Sequence, residues 1–136
     1  MLIHRYLIAI GIPVVLLLSG SVAKKLVRGT GWQRQDFFLG VQFTLAAMSA
    51  ALVYLMDLAK LYSLPNPNLL NIVQQLVTSG GYLVLNYFLL LWVMSIHQDW
   101  ERKNDNTKGQ IIWLGIISNI IGAGLIIIFI IVVKGV

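Results

Sequence analysis

Charge is missing from four long stretches of this chain: residues 6–23, 37–56, 61–96 and 109–133 contain no Asp, Glu, Lys or Arg. A hydrocarbon layer about 30 Å thick offers no water to backbone N–H and C=O groups, so a segment that crosses it must close its own hydrogen bonds as a helix. At 1.5 Å per residue each run is long enough to cross. The sequence therefore predicts an all-α fold, an integral membrane four-helix transmembrane bundle in one domain (1–136). The helices are expected at about 2–22, 36–63, 67–96 and 110–133. Only 11% of the residues are charged and 58% are hydrophobic, whereas soluble domains carry about 25% charge. Four spans leave little of the 136 residues for a soluble catalytic unit.

Local signals add detail. His4 and Arg5 before an apolar run, with Ser21-Val22-Ala23 after it, have the layout of an export signal. The run is long enough to span, so a retained first helix is expected. Pro13 should kink that helix by freeing the carbonyl of Ala9. Asn66 and Pro67 suit the start of the third helix, and Gly80-Gly81 suits a bend within it. Segment 97–109 is the most charged and reads as a loop. Residues 125–133 are uniformly apolar and read as lipid-facing.

Basic residues set the orientation. Links 24–35 and 97–109 hold Lys24, Lys25, Arg28, Arg34, Arg102, Lys103 and Lys108, while the other side holds Arg5, Lys60 and Lys134. This bias places both links in the cytoplasm and both termini outside, in the plasma (inner) membrane. Trp32, Trp92, Trp100 and Trp113 fall near one interface and Tyr6, Tyr54 and Tyr62 near the other, as aromatic belts do. The basic charge is thus a matter of topology and gives no argument for nucleic acid.

Three constellations carry possible chemistry. Asp36 and Asp57 bracket the second helix, about 31 Å apart along its axis. Between them Gly40, Phe43, Ala47, Ala50 and Tyr54 fall on one face. That face either lines an ion path with an acidic residue at each mouth, or packs against a neighbour while Arg34 and Lys60 pair with the aspartates. At mid-depth, Gln42, Thr44, Asn86 and Asn119 either bond across helices or form a polar path. Ala46, Ala50, Gly115, Ser118 and Gly122 are small enough for close helix packing. A third line, Asn71, Gln75, Thr78 and Tyr82 with Gln74 beside it, marks the outer end of the third helix.

Other chemistry is disfavoured. There is no cysteine, and His4 and His97 fall on opposite sides of the bilayer, so they cannot share a haem iron. Asp99, Glu101 and Asp105 are spaced poorly for a calcium loop, because Lys103 takes a ligand position. No enzyme, cofactor or metal is expected. The expected function is an oligomeric ion channel or pore-forming protein. The alternatives are a non-conducting membrane anchor or structural subunit, or a membrane-permeabilising effector of a toxin or defence system. Expected partners are membrane lipids, further copies of the chain, and a protein partner engaged through 97–109.

Overall fold

The computed structural model describes residues 2–29, 31–102 and 107–133. It is 90% helical, without strands among those residues, and four helices are long and apolar enough to cross a membrane. They are α1 (Leu2–Arg28), α2 (Gly40–Tyr62), α3 (Leu69–Arg102) and α4 (residues 107–133). A short 3-10 turn, Arg34–Phe37, precedes α2. The end holding this turn, the start of α4 and the end of α3 is the basic end. The opposite end holds the α2–α3 connection and is the turn end.

Helix boundaries depart from the sequence expectations where charged or turn-forming residues sit. α1 runs to Arg28 rather than to about residue 22. Its Lys24 Nζ donates to the carbonyls of Gln35 (3.0 Å) and Phe38 (3.2 Å). The basic side chains thus stay helical and reach back to satisfy the next turn. Gly29, at φ +75°, ends the helix in a conformation that glycine adopts without a Cβ clash. α1 also continues unbroken through Pro13, and α3 through Gly80 and Gly81. Asn66 does not cap α3. It sits at φ 58° in the turn, and Asn68 Oδ1 instead accepts from the Asn71 N–H at 3.4 Å. α3 continues through much of the expected loop to Arg102, with His97 and Glu101 paired one turn apart at 2.9 Å. Lys103 and Asp105 of that expected loop, and Lys134, lie outside the described residues.

α4 is not a uniform α-helix. It joins Thr107–Gln110, a widened i→i+5 stretch Ile111–Ile117, α-helical Ser118–Ile128 and a second widened stretch Phe129–Val133. Where the first widened stretch ends, both the N–H and the hydroxyl of Ser118 bond the Trp113 carbonyl, the hydroxyl at 2.6 Å. Such wide turns are rare and often mark special sites.

Helices α2, α3 and α4 form a three-helix core. Its main cluster joins Leu39 with Phe43, Ala47 and Ala51 of α2, Tyr82 of α3, and Leu125, Ile126, Phe129, Ile130 and Val133 of α4, and α1 adds Ala9 to it. The expectation that 125–133 faces lipid is therefore corrected. Lipid tails are as apolar as leucine, so uniform apolarity cannot separate a core face from a lipid face. Phe129 anchors the cluster, 6.1 Å from the Tyr54 ring and 5.7 Å from the Tyr82 ring. α1 leans on α4 and on the 3-10 turn from outside. Only 17% of its apolar window is buried, against 39% for α2 and for α4. The bundle is thus three helices plus one. Near the basic end, Phe38, Ile96 and Leu114 form a second cluster, beside which Trp100 stacks on Trp113 at 6.3 Å.

Candidate functional site

The break between the 3-10 turn and α2 creates the site's main polar demand. A helix start leaves N–H groups without partners, and within a membrane they need protein acceptors. Leu39 precedes α2 and provides no side-chain cap. Asn119 of α4 fills that role from another helix. Its Oδ1 accepts from the Leu39 N–H at 2.9 Å, and its Nδ2 donates to the Phe37 carbonyl at 2.6 Å. One amide therefore reads both backbone groups at the gap.

Beside it lies a charged clasp. Arg28 holds Asp36 with both guanidinium nitrogens, Nη2 to Oδ2 at 2.9 Å, and Nη2 also donates to the Gly31 carbonyl at 2.6 Å. The Gln33 N–H donates to Asp36 Oδ2 at 2.9 Å. Asp36 is fully buried. This two-pronged geometry ties the end of α1 to the start of the α2 segment. Lys25 lies over the Trp32 ring at 4.7 Å, and Trp32 stacks on Phe37.

Along α2 the small stripe is a packing face. Gly40 is buried, and a Cβ there would run into the side chain and backbone of Ser118. A Cβ at Gly122 would run into Phe43, with the Gly40 carbonyl 3.0 Å away. Gly115 faces the Phe38 ring, which a Cβ would approach to 3.1 Å. Thr44 is buried and turns its hydroxyl back to the carbonyls of Gly40 (3.1 Å) and Val41 (2.8 Å). Ala47 is buried in the core, Ala46 and Ala50 are half-buried, and Gln42 is exposed.

A second polar seam joins α2 to α3 and α4. With its nitrogen towards the Thr44 carbonyl and its oxygen towards the Met48 N–H, the buried Asn86 amide spans both at 3.2 Å. The Tyr82 hydroxyl donates to the Leu125 carbonyl of α4 at 2.7 Å. Nearer the turn end, Tyr54 donates to Gln75 Oε1 at 2.9 Å, and Gln75 Nε2 donates to Asn71 at 2.9 Å. The inward line on α3 is therefore Ile72, half-buried Gln75, Ser79, Tyr82 and Asn86, followed by apolar Leu90, Val93 and Ile96, while Asn71 is exposed. Thr78, expected on it, is exposed and bonds its own helix at Gln74. Reading the line on at spacings of three and four would have taken it to Ser79 and Asn86.

At the turn end of α2, Asp57 is 61% exposed, with Lys60 Nζ at 3.6 Å. Ala50, Tyr54 and Asp57 border one crevice at the turn end, but the sequence candidates do not all meet around one opening. Asp36, Ala47, Asn119 and Asp57 each border a different crevice. Sequence reasoning offered Arg34 to Asp36 and overlooked Arg28, because 24–35 read as a link rather than as a continuing helix. Among the described residues there is no group of three or more His, Asp or Glu placed to hold a metal. Searches of protein-family models, curated proteins and solved structures find no match to the chain.

Proposed function

We propose that the chain is a non-conducting membrane subunit: an anchor with a closed interhelical core that engages a larger partner at its basic end. What supports this reading is the use made of the α2 stripe. Gly40, Phe43, Thr44 and Ala47 are spent on contact with α3 and α4. A path for ions would need those groups facing water. The partner surface is the end of α3, where Gln98, Asp99 and Arg102 are exposed. α3 has 34 residues, about 51 Å of helix, which exceeds a hydrocarbon core of about 30 Å by several turns. The excess of basic residues at this end assigns it to the cytoplasmic side of the plasma membrane.

The test is ion flux from vesicles containing the purified protein. The anchor reading expects flux no greater than from empty vesicles. Crosslinkers placed at Asp99 in native membranes should give a discrete larger adduct that crosslinkers at Asp57 do not. Selective flux would overturn the reading.

One observation favours the channel alternative in an oligomer. The outward face of α2 carries Gln42, Leu45, Ser49, Leu52 and Met56, all exposed, at the alternating spacing of three and four that suits helix pairing between copies. On that reading the path lies between chains, and flux should depend on Gln42 rather than on Asp36.

A further inference from the structure

We propose that the flank of α1 facing α2 and α4 along its apolar length, and Glu101 at the basic end, is a binding site for one bilayer phospholipid, with an ethanolamine-type headgroup at the basic end and an acyl chain along the helix. α1 touches the rest of the bundle through a seam along one side. Its buried and half-buried residues include Ala9, Pro13, Leu17, Ser21, Lys24 and Arg28 at near-helical spacing. One position before this seam, Ile8, Ile12 and Leu16 border an apolar slot of about 310 Å³, closed on the other side by Ala46, Ala50 and Phe129. Also one position before it, Ala23 and Val27 border a charged crevice of about 460 Å³ with Lys24, Asp36, Phe38 and Glu101. Residues offset equally from one seam share a flank of the helix. The two openings therefore lie in line on the same side of α1. From Lys24 to Ile8 is 16 residues, about 24 Å. That is close to one leaflet of a bilayer about 40–45 Å thick.

The chemistry of the crevice selects the headgroup. Arg28 is committed to Asp36 and the Gly31 carbonyl. Lys24 uses two of its three N–H groups on the carbonyls of Gln35 and Phe38, which leaves one for a phosphate oxygen. Glu101 is 62% exposed, and one of its oxygens faces His97. Its other oxygen can accept from a primary ammonium. Val27 and Phe38 supply apolar contact for the glycerol region. A glycerol headgroup carries a phosphate but no cation for Glu101, and a choline headgroup has no N–H to donate. The small side chains of Ala46 and Ala50 keep the slot open beside α2, inside the hydrocarbon, where acyl chains are the available occupant.

The test is native mass spectrometry of the full chain. The protein is incubated in mild detergent with phosphatidylethanolamine, phosphatidylglycerol or phosphatidylcholine of matched acyl chains, then washed. The expected result is one retained phosphatidylethanolamine per chain, in preference to the other two. Ala50→Phe should fill the slot, and Glu101→Gln should remove the ammonium acceptor. Loss of one charge-assisted hydrogen bond corresponds to roughly tenfold weaker retention of phosphatidylethanolamine in Glu101→Gln. Because Glu101 is exposed at a helix end, its variant should unfold at the same temperature as the parent, which separates binding from folding. Equal retention of all three lipids, or unchanged retention in both variants, would overturn the proposal.

Discussion

The two ends of α2 carry the same residue type in opposite settings. Asp36 is fully buried and held by Arg28 and the Gln33 N–H. Asp57 is exposed, with Lys60 at 3.6 Å and one turn away. In the sequence they look like matched mouths of one path. In the structure one is part of a joint between helices and the other is a surface charge. A charged group in a membrane protein is therefore read by what reaches it rather than by its depth. Arg28 reaches Asp36 because α1 runs about one and a half turns past its uncharged run, and among the described residues no comparable ion pair reaches Asp57 from another helix.

Substitutions at the two ends should separate these settings. The largest effect is expected for Asp36→Ala, which removes the buried carboxylate shared by Arg28 and the Gln33 N–H. Unfolding in detergent should shift furthest for this variant, and hydrogen exchange should show residues 33–39 opening before the core. Equal shifts for Asp36→Ala and Asp57→Ala would break the comparison. Next comes the close contact that seals the stripe. Gly122→Leu forces a side chain into Phe43 and the Gly40 carbonyl, and overpacking of this kind costs about 1–3 kcal/mol, read from the unfolding midpoint. Asn119→Leu leaves the Phe37 carbonyl and the Leu39 N–H without their amide. The loss should be about 1–2 kcal/mol and confined to the basic end. Asn86→Leu removes hydrogen bonding between helices in the middle of the core, where such bonds average about 0.6 kcal/mol in membranes. Smallest of all, Asp57→Asn removes an exposed pair worth about 0–1 kcal/mol and should leave the midpoint almost unchanged.

The four spans were legible because absence of charge over 18 or more residues has one physical meaning in a chain of this kind. Their junctions were not. Lys24, Lys25 and Arg28 look like a hydrophilic link, yet long basic side chains remain helical while their heads reach carbonyls and a carboxylate across the turn. The helical end of α3 was hidden in the same way, since its charges pair along the helix from His97 to Glu101. The small residues Gly40, Ser118 and Gly122 were visible in sequence as close-packing candidates, but which helix each would meet depended on the arrangement of all four. The peripheral place of α1 was hidden because lipid-facing and core-facing apolar residues have the same composition. Nor does any residue pattern announce the widened turns of α4, which depend on the fit of Ser118 and Trp113 within the bundle.

The central claim is that the stripe between Asp36 and Asp57 is an interior packing face and not a water path. The chain contains no cysteine, so single cysteines report without background. Thr44→Cys, Ala47→Cys and Asp57→Cys in proteoliposomes should be challenged with a membrane-impermeant thiol reagent from both sides. Labelling at Asp57→Cys, with Thr44→Cys and Ala47→Cys unreactive until the protein is unfolded, is the predicted result. Labelling at Thr44→Cys and Ala47→Cys in the folded protein would contradict it.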